Sequence, residues 1–340
     1  MTDDAPRSDV LRFLRRYGLV APGVRPVLTP LDGGVSSDLW KVKAPGRILC
    51  VKAALAQLKT ARVWHAPVSR NQVEHDYLQF AGSVCPGRVP EVLAHDPAAG
   101  LFAMAYLPPE DHPVWKAQLM SGQVEIRVAA AVGDLVGCLH AASAADADTA
   151  ARFATDDNFD ALRIEPFFRK TAAAHPELAE RLLELASRTA SIHEVVVHGD
   201  VSPKNILVGA EGPVLLDAEC AWFGDPAFDV AFCFNHLLLK SLLEPALSAQ
   251  LLEAAAALTT AYAAHVGWEP WAACEERIAT LVPALALARV DGTSPVEYLD
   301  EGRQALVRSV ARELLREPVA TVAGVLGQWS RLTVAEQHAH

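Results

Sequence analysis

The sequence lacks any paired-cysteine signature. Its six cysteines, Cys50, Cys85, Cys138, Cys220, Cys233 and Cys274, are scattered without a CxxC pair. That argues against a disulfide frame or a zinc site and suits a reducing, cytoplasmic setting. No apolar run reads as long enough to cross a bilayer, so no membrane partner is expected. The opening stretch, MTDDAPRSDV, is acidic and polar, unlike a secretory signal. Basic residues are in deficit: 30 Lys+Arg stand against 41 Asp+Glu, a net charge of −11. That disfavours a nucleic-acid partner. The acidity would favour cationic substrates only mildly and otherwise serves solubility. No internal repeat is evident, and nothing in the chain reports its oligomeric state.

What is present is a sizeable core, with 51% hydrophobic residues in 340. In the first hundred residues LWKV, ILCVKA and LFAMAYL read as short strands. A helical pattern at 69–82 interrupts them, with Val73, Tyr77 and Phe80 on one face. Pro108-Pro109 then breaks the chain. Beyond it the pattern is mostly helical. Residues 124–143 carry Val128, Val132, Leu135 and Leu139 on one stripe. Residues 176–190 open on Pro176 and carry Leu178, Leu182 and Leu185. The exceptions are VVV at 195 and VLL at 214, expected to pair as a hairpin. After residue 225 the chain reads as helical nearly to its end. The expected organisation is α+β, with a small β-rich lobe over residues 1–107 and a larger helical lobe over 108–340. A cleft between two lobes is a usual place for a ligand.

The stretch VVVHGDVSPKNILVG, residues 195–209, sets a charged loop between two apolar runs. Asp200 and Asn205 stand five apart, and VLLDAE places Asp217 at a strand end. A loop Asp, an Asn five residues on and a further acid on the next strand form the pattern of a protein-kinase-like phosphoryl-transfer site. Magnesium takes hard oxygen ligands and keeps several waters, which suits one Asn and one Asp. An ionised carboxylate beside the attacking hydroxyl orients it and takes its proton.

HGD at 198–200 with Asn205, followed by LLDAECAWFGDPAFDVA at 215–231, resembles the aminoglycoside phosphotransferase and choline kinase superfamily. The likeness runs from about residue 30 to about 240. Asp217-x-Glu219 and the later GDPxxD look closer to choline and methylthioribose kinases than to the classical resistance enzymes. The resemblance implies a two-lobed kinase-like fold and a magnesium- and ATP-dependent transfer to a small-molecule hydroxyl. It implies Asp200 as the catalytic residue that meets the acceptor hydroxyl, and Asn205 and Asp217 as metal ligands. Lys52 would grip the inner phosphates, paired to Glu74. Gly33, Gly34, Ser36 and Ser37 occupy the place of the phosphate-covering loop, without a GxGxxG pattern. Backbone near Ala105 and Leu107 would meet adenine. His198 would fix the loop, Asp225 would cap a helix and Asp229 would brace the loop through backbone amides. Glu219 is open between a metal ligand, a substrate contact and a turn cap. Lys204 either reaches a phosphate or is a solvated lysine.

The acceptor is the least legible feature. A metabolic amino alcohol or sugar is favoured over an antibiotic. An aminoglycoside pocket would need converging carboxylates, for which Glu165 and Asp291 are loose candidates, each more naturally a surface acid. Arg289 either reads a phosphate or carboxylate or is a helix-end arginine. Among other classes, a protein kinase would need a longer activation segment than Asp217–Asp225 allows. A pseudokinase scaffold would have lost one of Lys52, Glu74, Asp200, Asn205 or Asp217, all of which are present.

Overall fold

The computed structural model describes residues 4–31, 37–54 and 70–337. Gly33, Gly34 and Ser36 therefore lie outside the described residues. The chain divides into two compact units, Met1–Pro108 and Pro109–His340.

The first unit is built on an antiparallel sheet of β1 (Val27–Leu31), β2 (Ser37–Ala44), β3 (Arg47–Ala54), β4 (Val92–Asp96) and β5 (Leu101–Ala105), in the order β1-β2-β3-β5-β4. Successive strand residues face opposite sides of a sheet. In β3, Leu49 and Val51 join Trp40 and Val42 in a core completed by Val10, Phe13 and Leu14. Those three lie at i, i+3, i+4 on the helix Asp4–Arg16, which packs on that face. Lys52 alternates to the other face. The helix Arg70–Val84 buries Val73, Glu74, Tyr77, Leu78 and Phe80 along one side.

The second unit is mainly helical, with two short two-stranded sheets among its described residues. One pairs β6 (Val195–Val197) with β9 (Trp222–Gly224), and the other pairs β7 (Ile206–Gly209) with β8 (Gly212–Leu215). This corrects the expected hairpin between VVV at 195 and VLL at 214. Only two residues separate β7 from β8, so the tight local turn takes VLL as partner of ILV. The VVV strand is left to pair at long range with Trp222–Gly224. Residues 153–159 brace that pairing: the Phe223 amide donates to the Phe153 carbonyl at 2.8 Å, and Phe159 stacks on Trp222 at 4.2 Å.

The expectation about long apolar runs also needs correcting. The helix Ile126–Ser143 is 18 residues long with mean hydropathy 1.3, long and apolar enough to cross a membrane by length and composition. In this fold it is a packing helix, with Val128, Val132, Leu135, Val136 and Leu139 buried. It runs against the helix Pro245–Ala263 so closely that a Cβ on Gly133 would lie 2.0 Å from the Leu258 carbonyl oxygen. After β9 the helices Ala227–Lys240, Pro245–Ala263, Trp271–Asp291, Glu301–Arg316 and Val322–Gln337 complete the unit.

Candidate active site

The loop after β6 is held from three directions. Asp229, on the first turn of the helix Ala227–Lys240, accepts the His198 amide at 2.7 Å and the Gly199 amide at 2.8 Å, one on each carboxylate oxygen. Its Oδ2 also lies 3.3 Å from His140 Nε2, whose ring meets the Tyr262 hydroxyl at 3.0 Å. The His198 ring works locally. Burial pushes its pKa down, against the nearby Asp229 and Asp200 charges, so the ring is neutral. Its Nδ1 accepts the Asp200 amide at 3.1 Å, which leaves Nε2 to donate to the Leu216 carbonyl at 3.1 Å. A ring whose two nitrogens are both used on backbone is a brace.

Gly199 is dictated by the same loop. Its φ is +77°, and a Cβ there would lie 2.6 Å from the Cys220 carbonyl oxygen. Both facts exclude the arginine that protein kinases usually carry at this place.

The guanidinium comes from elsewhere. Arg163 lies on a wide π-helical stretch, Asp160–Arg169, and is buried between Leu162 and Ile164. Its Nη2 sits 3.0 Å from Asp200 Oδ2, and its Nε donates to the Gly199 carbonyl. Lys204 approaches the same Asp200 oxygen at 3.1 Å, with about half of its side chain still exposed. Burial works to raise the Asp200 pKa, but the Lys204 and Arg163 charges outweigh it and hold the carboxyl below its usual range. Asp200 is 6% exposed, so it is an ionised, desolvated and well-oriented carboxylate.

Asn205 donates from Nδ2 to the Asp200 carbonyl at 3.1 Å, which turns its Oδ1 away as the end suited to a cation. Its carbonyl accepts the Leu216 amide at 2.9 Å, tying the loop to the residue before Asp217. Asp217 adopts a left-handed backbone, φ +65°, uncommon for a residue with a side chain and costly enough to need support from its surroundings. The set of one amide oxygen and one carboxylate fits a hard divalent cation that keeps waters. Among the described residues no group of three or more His, Cys, Asp or Glu could hold a metal. Glu219 is 8% exposed, and its carbonyl accepts Asn158 Nδ2 at 2.7 Å. Asp225 accepts the Ala227 amide at 3.0 Å, as a capping carboxylate does, and pairs with Arg277 at 3.0 Å. Glu165 and Asp291 are spent on other cations: Glu165 on Arg169 and Lys170, Asp291 on Arg308 and His175.

In the first unit, Lys52 Nζ lies 2.5 Å from Glu74 Oε2, with both side chains almost fully buried. Ser37 opens β2 and is 2% exposed. The Ala105 amide is committed to the Glu91 carbonyl at 2.8 Å, so an adenine could not accept from it. That corrects one half of the backbone reading at Ala105. Leu107 lies beyond β5 in irregular, half-buried backbone.

Sequence reasoning missed Arg163. The one local signal was an arginine set directly between Leu162 and Ile164.

These features define a kinase-like phosphotransferase architecture, and the likeness to known proteins narrows it. Residues 27–271 match the phosphotransferase enzyme family, APH. The chain belongs to that family. The methylthioribose kinase of Pectobacterium atrosepticum is 26% identical over 263 residues, covering 68% of this chain and 65% of that protein. The methylthioribose kinase of Erwinia tasmaniensis is 27% identical over 272 residues, covering 71% and 67%. The chain thus spans about two thirds of the length of these relatives. Among solved structures, the choline kinase from Cryptosporidium parvum is similar over 96% of this chain and 99% of that one, with a TM-score of 0.55 and 14% identity. That likeness carries the fold: α+β, kinase-like, with a β-sheet unit followed by a mainly helical one.

Proposed function

We propose that the protein is an ATP-dependent phosphotransferase that moves the γ-phosphate of ATP to a hydroxyl of a small molecule. The observation that carries this reading is Asp200: a buried carboxylate kept ionised by Arg163 and Lys204, with the Asn205 amide donating to the Asp200 carbonyl. Membership in the phosphotransferase family supports the reaction class. In the first unit, Lys52, held by Glu74, would steady the inner phosphates. In the second, Asn205 and Asp217 would hold Mg²⁺, which when bound neutralises charge on the transferring phosphates.

In the reaction the bond from the γ-phosphorus to its bridging oxygen breaks, and ADP leaves with that oxygen. A new P–O bond forms to the acceptor oxygen, whose proton passes to Asp200 or solvent. A carboxylate held below its usual pKa is a weak base, so Asp200 acts chiefly by aligning the hydroxyl, with proton transfer late. That suits a loose transition state. Lys204, beside Asp200, is placed to screen charge there.

A sugar or another small polyol is the favoured acceptor, supported by the methylthioribose kinase relatives. An aminoglycoside is disfavoured because Glu165 and Asp291 are already neutralised and Asp200 is ringed by cations. The test is ADP release from Mg-ATP across pools of sugars, amino alcohols and antibiotics. Asp200→Asn should cut turnover by ~10²-fold or more while nucleotide affinity stays within about twofold. Unchanged turnover in that variant would remove Asp200 from the mechanism.

A further inference from the structure

The net charge of −11 conceals a local reversal. Beside Asp200 the second unit brings several buried cations together. Lys240, in the last turn of the helix Ala227–Lys240, is 2% exposed. Its Nζ lies 3.3 Å from the Tyr298 hydroxyl and 4.7 Å from the centre of the Tyr298 ring. Lys116 approaches the same ring at 5.8 Å and is already paired with Glu297. Arg289 packs its guanidinium 5.8 Å over Phe167, and Arg163 packs over that ring too, at 5.6 Å. Through Phe167 the cluster is therefore contiguous with Asp200. Phe232 continues it, 5.5 Å from Phe167 and 5.3 Å from the His236 ring.

The carboxylates whose charge reaches these cations are Glu297 and Asp200. Among the described residues neither Lys240 nor Arg289 has a carboxylate within salt-bridge distance. Arg289 Nη1 has only the Ser294 hydroxyl, at 3.1 Å, and its Nε has no partner. His236 is 5% exposed, and its Nε2 also has no partner. Burial, then the charges of Lys240, Arg289, Lys204 and Lys116, push the His236 pKa far down, so all four cations bear on one ring. Burial, Lys116 and Arg289 likewise lower Lys240 to about 7, with only Cys233 and Glu297 opposing. A fold keeps buried, unpaired cations at a cost in stability. The buried Lys240 ammonium, the enclosed Arg289 Nε–H and a His236 ring nitrogen that donates in one of its two tautomers together complement an oxyanion.

We propose that Lys240, Arg289 and His236 form an oxyanion subsite, and that the phosphate acceptor carries a carboxylate or phosphate group besides its hydroxyl. The inference rests on the reading of Asp200 as the residue that aligns that hydroxyl. It separates this chain from kinases of cationic amino alcohols and of aminoglycosides by the sign of the charge their substrates carry.

The test is calorimetric titration of the full chain, saturated with ADP, using inorganic phosphate in one arm and acetate in another. At least one should bind the wild type, and Lys240→Met and Arg289→Gln should each weaken it by about tenfold or more. Binding confined to phosphate would point to phosphorylated acceptors, and binding of acetate to carboxylic acids. Melting temperatures without anion supply the second readout. A lysine kept for packing would lower the melting temperature when replaced, whereas Lys240→Met should raise it. No binding of either oxyanion, or unchanged binding in both variants, overturns the proposal. Turnover is not part of this measurement. Oxyanion binding without turnover on any acceptor would sink the kinase reading and leave the subsite. Turnover on neutral alcohols without oxyanion binding would do the reverse.

Discussion

The two units treat buried charge in opposite ways. In the first, one lysine meets one glutamate: Lys52 and Glu74 are both nearly inaccessible and neutralise each other at 2.5 Å. In the second, Arg163 and Lys204 share a single Asp200 oxygen, while Lys240 and Arg289 have no carboxylate within salt-bridge distance among the described residues. A matched pair is closed and structural until a ligand competes for it. An unmatched set is open and implies that charge arrives from outside. The difference is visible because burial makes unbalanced charge expensive, so a fold that keeps it has a use for it.

The comparison can be broken most forcefully at the matched pair. Lys52→Met removes the ammonium from the buried Glu74 carboxylate, and should cost about 3 kcal/mol or more of stability by denaturant titration. Adding Glu74→Leu should restore most of it, since an apolar pair of similar volume replaces an ion pair at little cost. A single variant as stable as the wild type would show that the pair is not closed. Next in size, Gly199→Ala forces a side chain at φ +77° against the Cys220 carbonyl. A loss of about 2 kcal/mol is expected in thermal melting, together with a fall in turnover because the next residue is Asp200. The unmatched side should respond with the other sign. Lys240→Met should gain on the order of 1 kcal/mol at pH 7.

The smallest effect is a pH dependence. Lys240 is lowered to about 7 in the folded chain, so between there and its ordinary value the unfolded chain binds more protons. Its contribution to stability therefore rises with pH over that window. Acetate affinity should run the other way, falling about tenfold between pH 6 and 9 as the ammonium is lost. Acetate suits this measurement because it stays ionised throughout. A flat profile would remove Lys240 from the subsite; the other titratable or charged groups that face it are Lys116, Cys233, Arg289, Glu297 and Tyr298.

How much of this was legible in the sequence follows from distance along the chain. The residues that report themselves by spacing, Asp200, Asn205 and Asp217, lie within one short segment, and the segment holds them together. The long helices after residue 225 were legible because their apolar pattern repeats over many turns. Three-residue strands carry too little alternation to show a partner, which is why VVV was matched to the wrong run. Arg163 was not legible because it reaches Asp200 from 37 positions earlier, out of a segment with no motif. Arg289 was ambiguous for a related reason: its place at a helix end explains an exposed arginine, and only the fold reveals that its Nε is enclosed without a partner. The sign of the total charge gave no hint of the buried cations, because a sum over 340 residues says little about one cluster of side chains.

One consequence remains in the helix Ala227–Lys240. Asp229 at its start clasps the two amides that precede Asp200, and His236 and Lys240 sit at its far end. A single helix, rising about 16 Å from Asp229 to Lys240 at 1.5 Å per residue, therefore sets, like a ruler, how far the proposed subsite stands from the Asp200 loop. Such a ruler selects by length. Compounds with the right groups at the wrong separation would be refused however well each group matched its own partner.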